Sequence, residues 1–168
     1  MGRWGRVCAT EQGALDEAES CHLQGLALAQ QAQEPGLICD SLSLAATCRT
    51  DADDLPAATH LLREASVLGE SCHSHDLDRR LGDETARLLI ALKEYPLAAQ
   101  LLGFADAWIE LHKIHLFGNA RRDRERLKEQ LAKSLGEVGF TRELTQGSQL
   151  SRKAFYTQLN AALEHVRA

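Results

Sequence analysis

The densest cluster of chemically active side chains is the run Cys72-His73-Ser74-His75-Asp76. Cys, His and Asp are ligands of zinc, so this run could form a metal-binding loop. A structural zinc site needs four ligands, usually from two separated pairs, and no second such pair is evident. We therefore interpret the run as a polar turn between helices and predict that the chain carries no metal and no cofactor.

Two other sets of residues could support chemistry. His112 and His115 lie three positions apart on a predicted helix, whereas the zinc motif His-Glu-x-x-His needs histidines at i and i+4 with a glutamate. Cys21 precedes His22 but lies on an apolar stripe, which favours a buried small hydrophobe over a nucleophile. No G-x-S-x-G motif, Gly-rich phosphate loop or paired-carboxylate arrangement occurs. We predict that the chain is not an enzyme.

The segment 119–136 is rich in charge. Its basic residues are Arg121, Arg122, Arg124, Arg126, Lys128 and Lys133. Its acidic residues in the same stretch are Asp123, Glu125 and Glu129. The positive excess could contact nucleic acid or an acidic partner, but the mixed signs favour a solvated helix face. Leu127, Leu131 and Leu135 would then form its buried side.

The tail offers an alternative function of another class. Residues 143–163 have the pattern of the turn and second helix of a helix-turn-helix DNA-binding unit. Arg152 and Lys153 would then contact DNA from the first turn of that helix. Phe155 and Leu159 suit packing of the tail onto the preceding helices, which we take as the principal interpretation.

Composition excludes several classes of protein. The 168 residues can bury one core, and 44% of them are hydrophobic, as in ordinary globular domains. A net charge of −5 argues against a binder of nucleic acid. No apolar run is long enough to span a membrane, and the N-terminus has no apolar signal core, so we expect a cytoplasmic protein. The five cysteines are odd in number and fit reduced thiols.

Three stretches of the chain share one spacing of apolar and small residues, and each stretch begins 40 residues after the previous one. They begin at Leu15, Leu55 and Tyr95, and each has apolar or small residues at i, i+3, i+6, i+7 and i+10, with one exception at His22 in the first stretch. This spacing forms one stripe on an α-helix. A fixed period in this range indicates stacked structural repeats.

We predict an all-α fold of stacked antiparallel helix pairs. The predicted helices cover residues 13–33, 36–50, 54–71, 76–94, 96–116, 119–136 and 149–167. Pro56 fits the first turn of the third helix, where its missing N–H is not needed. Gly136 and Gly139 interrupt the chain after the sixth helix.

Small residues recur on the shared stripe at two positions, seven residues apart. They are Ala18, Ala58 and Ala98, followed by Gly25, Ala65 and Ala105. This spacing resembles the second helix of tetratricopeptide repeats, in which small residues let helices approach closely. The family's Leu-Gly pair of the first helix would fall on Trp4-Gly5 and Leu44-Ala45, whereas the third copy has Glu84-Thr85. The period of 40 exceeds the family's about 34, which implies longer helices.

This resemblance covers residues 4–117 and implies a right-handed superhelix. Residues 1–117 would form the repeats and residues 118–168 a C-terminal helical cap. Trp4-Gly5 would fall late in a first helix, which implies a truncated first helix. We therefore expect a C-terminal piece of a larger protein that can self-associate through its uncovered N-terminal face.

A second resemblance covers residues 97–168. The order of segments is similar to the terminal segment of large bacterial signal-transduction ATPases, including LuxR-type transcriptional activators. The segments are Leu97 to Trp108, a charged helix, residues 135–140 and Gly147-x2-Leu150-Ser151. This resemblance implies a sensor or scaffold arm of a transcriptional or signalling regulator. The chain has no P-loop motif, so the ATPase itself is absent from it.

The predicted function is binding of a protein, a peptide or a small effector. The site would be the concave face formed by the first helix of each pair. Its candidate residues are Asp40, Ser43, Thr47, Arg79, Asp83 and Arg87. Salt dependence separates this function from the DNA-binding alternative, because phosphate contacts make affinity fall steeply with salt.

Overall fold

The structure is a computed structural model that describes residue 20, residues 23–116 and residues 119–165. Every regular element in these ranges is a helix, which confirms the all-α prediction. The described part of α1 covers residues 23–32. The helices that follow are Pro35–Asp51 (α2), Leu55–Cys72 (α3), His75–Ala91 (α4), Tyr95–His112 (α5), Asn119–Ser148 (α6) and Arg152–His165 (α7). Within the described ranges, no helix is both long and apolar enough to cross a membrane.

The bounds of the four central helices recur after 40 residues. Both α2 and α4 have 17 residues and begin at positions 35 and 75, and both α3 and α5 have 18 residues and begin at 55 and 95. The turns recur with them, because the residues with positive φ fall at Gln33, His73 and Lys113 and at Asp53 and Lys93. After each of these four helices the chain therefore reverses through a single left-handed residue at an equivalent place.

Local signals place the helix starts. Pro56 and Pro96 lie in the first turns of α3 and α5, as predicted for Pro56. The side chain of Asp54 accepts a hydrogen bond from the N–H of Ala57 at 3.3 Å, and Ser74 caps α4 in the same way. These caps fix where the chain turns and therefore which faces meet.

Each helix from α2 to α5 packs against the helix that follows it, and α2 also contacts α4 directly. The helix α6 packs along α5, and α7 lies against α3 and α5. Ala58, Leu62 and Ala65 of the shared stripe are fully buried, as are their equivalents in α5 at Ala98 and Ala105. The small positions that the sequence singled out in α3 and α5 are therefore all buried.

Replacing Ala58 by Leu should lower the free energy of unfolding by about 1–3 kcal/mol, because the added atoms have no room at a 0% exposed position. Ala57→Leu should cost far less, since Ala57 is only half-buried. Ala and Leu have close helix propensities, so propensity cannot produce the difference. Thermal melts of the two variants measure it, and equal losses would contradict the close contact at Ala58.

The C-terminal part differs from the prediction. Of the two glycines that were expected to interrupt the helix, Gly136 and Gly139, only Gly136 has non-helical dihedral angles, with φ 71° and ψ 159°. The chain then continues as helix to Ser148. This second half of α6 was predicted as non-helical. It is stabilised because Phe140 and Leu144 pack against the core, and because Gly147 lets its backbone approach α5.

Helix α5 was predicted to extend to residue 116, but it ends at His112 because Lys113 adopts φ 53°. Several residues of the predicted first repeat lie outside the described residues. They are Trp4, Gly5, Leu15, Ala18, Cys21 and His22.

Candidate partner-binding groove

Two cavities lie along α2 and α4. The larger, about 600 Å³, lies where both helices begin and α3 ends, and the smaller, about 190 Å³, lies between α2, α4 and α6. Arg80 lines both cavities, so they are neighbours, and we call the pair the α2–α4 groove. Leu37 and Leu77 line its wide end, and Leu44 lines its narrow end.

The structure brings most of the predicted site residues to this face. Asp40 lines the wide end, and Arg79, Asp83 and Arg87 line the narrow end. Thr47 lies at the same face, where its hydroxyl donates to Glu84.

Ser43 is the exception among the predicted site residues. It is fully buried, and its hydroxyl donates to the backbone oxygen of Cys39 at 2.8 Å. Ser43 is four residues after Cys39, so the two lie on the same side of α2, and that side faces the core rather than the groove. A polar side chain on a buried helix face can satisfy its hydroxyl within its own helix.

Arg79 and Asp83 are engaged within the chain. The guanidinium of Arg79 donates to Asp83 at 2.8 Å and to Asp76 at 2.9 Å, and both Arg79 and Asp83 keep only 8% of their side-chain exposure. Asp83 also forms an ion pair with Arg124 of α6. These residues therefore build the floor of the groove.

Arg124 is a residue that sequence reasoning placed wrongly, on a solvated helix face. It is buried, and its guanidinium donates to Asp106 at 2.7 Å in addition to pairing with Asp83. Burial first, and then the like charge of Arg79, lower the pKa of Arg124 to about 10, so it stays charged at neutral pH. The available signal was spacing, because Arg124 precedes the buried Leu127 by three residues on the same side of α6.

Other charged side chains that line the groove are more exposed than Arg79 and Asp83. Arg80, with 24% of its side chain exposed, pairs with Asp40 at 2.9 Å. Arg87 pairs with Glu84 at 3.3 Å, and the Thr47 hydroxyl donates to Glu84 at 2.6 Å. The groove therefore presents alternating guanidinium and carboxylate groups between apolar walls.

The polar run at residues 72–76 is distributed over several contacts. Ser74 caps α4, and Asp76 pairs with Arg79 and Arg80. His75 stacks on His112 of α5. Across the described ranges, no group of three or more His, Cys, Asp or Glu side chains could hold a metal ion.

The tail residue Arg152 is bound within the fold. Its guanidinium donates to both carboxylate oxygens of Asp78, at 2.7 and 3.0 Å, and to the backbone oxygens of Gly69 and Glu70. Asp78 is fully buried and also accepts a hydrogen bond from Tyr156 at 2.6 Å. The DNA-binding alternative expected Arg152 to contact DNA, whereas these bonds direct it towards α3 and α4. Phe155 and Leu159 are likewise fully buried.

Arg152→Ala should lower the free energy of unfolding by about 2–3 kcal/mol, because buried Asp78 loses its cation and keeps only Tyr156 as a donor. The neighbouring Lys153 is exposed, so Lys153→Ala should stay within about 0.5 kcal/mol. Denaturant titrations of both variants provide the comparison. Similar small losses would show that the Asp78 contact does not anchor the tail.

Comparison with known proteins adds no relative. No protein-family model, curated protein or solved structure matches this chain. The groove and its charges therefore carry the functional inference.

Proposed function

We propose that this chain is a non-catalytic, tetratricopeptide-like scaffold that binds an extended protein segment along the α2–α4 groove. The observation that carries the proposal is that two neighbouring cavities follow α2 and α4 and share Arg80 in their lining. Clefts that combine apolar walls with a few fixed polar groups are the usual form of binding sites. The charged groups here are held in place by their own ion pairs before any partner arrives.

The repeat character of the proposal rests on three features. Helix bounds recur after 40 residues, the small stripe positions are buried, and α2 contacts both α3 and α4. In stacked helical repeats each unit contacts its neighbours and the array curves around a concave binding surface. We place the repeats within residues 1–117 and the cap within residues 118–168, where α6 and α7 cover α5 and α3.

The dimensions of the groove set the size of the partner segment. From Asp76 to Arg87 the helix α4 rises about 16 Å, at 1.5 Å per residue. An extended chain covers that length in about five residues. We propose a segment with an apolar side chain between Leu37 and Leu77, followed by charged residues that pair with Arg80 and Arg87.

The biological setting follows from the resemblance to bacterial regulators. There the chain would act as the sensor or scaffold arm of a cytoplasmic transcriptional or signalling regulator. In that role, binding in the groove changes what the regulator assembles with, and no reaction takes place on this chain.

A displayed library of random seven-residue peptides tests the proposal on the full chain. Peptides that bind should protect amides of α2 and α4 from hydrogen exchange, and Arg80→Gln should weaken their binding about tenfold, the loss expected for one charge-assisted contact. Glu64→Gln on the exposed side of α3 is the matched control and should leave affinity unchanged. Affinity should fall only shallowly with salt.

Three results would reject the proposal. The library could yield no binder, the selected peptides could protect a different surface, or Arg80→Gln could bind as the parent does. Thermal melts accompany each variant, so that a loss of binding is not confused with a loss of folding.

A further inference from the structure

Two histidines from different helices stack face to face. His75 is the first residue of α4 and His112 is the last residue of α5. Their ring centroids lie 3.5 Å apart with an interplanar angle of 9°. The ring of Trp108 contacts both edge-on, at 4.4 Å from His112 and 5.6 Å from His75. The stack therefore joins the beginning of one helix to the end of the next.

The stack continues into the core through aromatic rings. Trp108 lies 5.0 Å from Phe104, and Phe104 stacks on Phe155 of α7 at 4.0 Å. His112 is half-buried, and its Nε2 atom is shielded from solvent and has no hydrogen-bond partner among the described residues. A proton added at this nitrogen would enter a site built for a neutral ring.

The charged groups that face His112 offer little compensation for such a proton. From α4, the facing groups are His75 and the carboxylate of Asp78. Asp78 is already bound by Arg152 and Tyr156 of α7. Lys113, which follows His112 in the chain, contributes a further positive charge and pairs with exposed Glu110.

We propose that the His75–His112 stack is a pH-sensitive latch between α4 and α5, closed when the stacked rings are neutral and weakened when His112 takes up a proton. A charged His112 ring would lie face to face with His75, with its Nε2 atom shielded from solvent and without a hydrogen-bond partner among the described residues. Histidine is the side chain that changes charge in the physiological pH range. The latch does not depend on the proposed function, because it is read out as stability.

The direction of the pH effect follows from the pKa of His112. Burial first, and then His75, lower the pKa of His112 below its ordinary 6.5, while Asp78 opposes them. The unfolded chain therefore binds the proton at a higher pH than the folded chain does. The stabilising contribution of the stack is complete above pH 6.5 and is lost as the pH falls below that value.

The latch lies beside the wide end of the α2–α4 groove. Ser74, Asp76 and Leu77 line that end, and they flank His75 in the first turn of α4. Opening of this turn at low pH would change the shape of the groove, a consequence that rests on the proposed function. The latch can be tested separately from the proposed function, because its effect on stability is measured without a ligand.

The test measures unfolding of the full chain at about pH 8 and about pH 5.5. The unfolding equilibrium constant of the parent should rise over this interval about threefold more than that of His112→Phe, a modest factor because the site is partly exposed. Phe keeps the contact with Trp108 and cannot take up a proton. His60→Gln, at an exposed position where Nε2 lies 3.8 Å from Glu64, is the control and should keep the parent's pH dependence.

A direct measurement on the unmodified chain keeps the proposal testable if a variant folds poorly. In an NMR titration the ring of His112 should take up its proton below pH 6.5, and His75→Phe should move that titration upwards by removing a like charge. Amides of the first turn of α4 should exchange faster at low pH. Titration of His112 at or above pH 6.5, or equal pH dependence in the parent and His112→Phe, would overturn the latch.

Discussion

Gly103→Ala is expected to lower the free energy of unfolding by about 3 kcal/mol or more, at the upper end of the cost of overpacking. A Cβ atom at this position would lie 2.9 Å from the carbonyl carbon and 3.0 Å from the Cα of Leu144 in α6. These are backbone atoms, so no side chain can rotate away and the two helices would have to separate. Gly147 makes the reciprocal contact with the backbone of Gln100.

Gly139→Ala is the matched control in α6. A Cβ atom there would stand 3.5 Å from the Cβ of Leu135, an ordinary contact. Since Ala is a better helix former, this variant should gain about 0.5–1 kcal/mol. Urea titrations of the two variants should shift in opposite directions. If Gly103→Ala also gains stability, the close approach of α5 and α6 is wrong.

Asp83→Ala should cost about 3–5 kcal/mol, because it leaves two buried guanidinium groups without their shared carboxylate. Arg79 and Arg124 keep only 8% and 6% of their side-chain exposure, so water cannot replace Asp83. Their like charges would then face each other across the narrow end of the groove. Guanidinium chloride titration measures the loss of stability.

Two further variants test whether the loss of stability in Asp83→Ala comes from the buried ion pairs. Glu110→Ala removes a partner of Lys113 from a pair that is more than three-quarters exposed, and should change stability by less than about 1 kcal/mol. Adding Arg124→Met to Asp83→Ala should restore part of the stability, since it removes one of the two buried cations that Asp83 no longer balances. An additive loss in the double variant would mean that Asp83 and Arg124 do not interact.

Much of the helical framework was predictable because its signals are local. The apolar stripe that contains Ala58 and Ala98, with prolines at fixed offsets, predicted α3 and α5 to within a few residues. The second half of α6 was missed because the local signal, a glycine, predicts the end of a helix. Gly136 does break the helix, but packing of Phe140 and Leu144 on the core stabilises a new one directly after it.

The groove was predictable only in part. Helical periodicity placed Arg79, Asp83 and Arg87 on one face of α4, and the structure keeps them together. Periodicity could not tell which polar side chain of α2 faces the core, so Ser43 was assigned to the surface although it is fully buried. Whether a polar group is buried depends on the partner helix that covers it.

The sequence by itself determined that the described part of this chain is helical, where most of its helices begin and end, and which small residues of α3 and α5 are buried. These features depend on residues within one or two turns of each other. Only the tertiary structure decided the charge pairing. Asp83 meets Arg124, and Asp78 meets Arg152 from a position 74 residues away. Many acidic side chains could pair with each arginine, and packing of α6 and α7 selects one because burial leaves any unpaired charge costly.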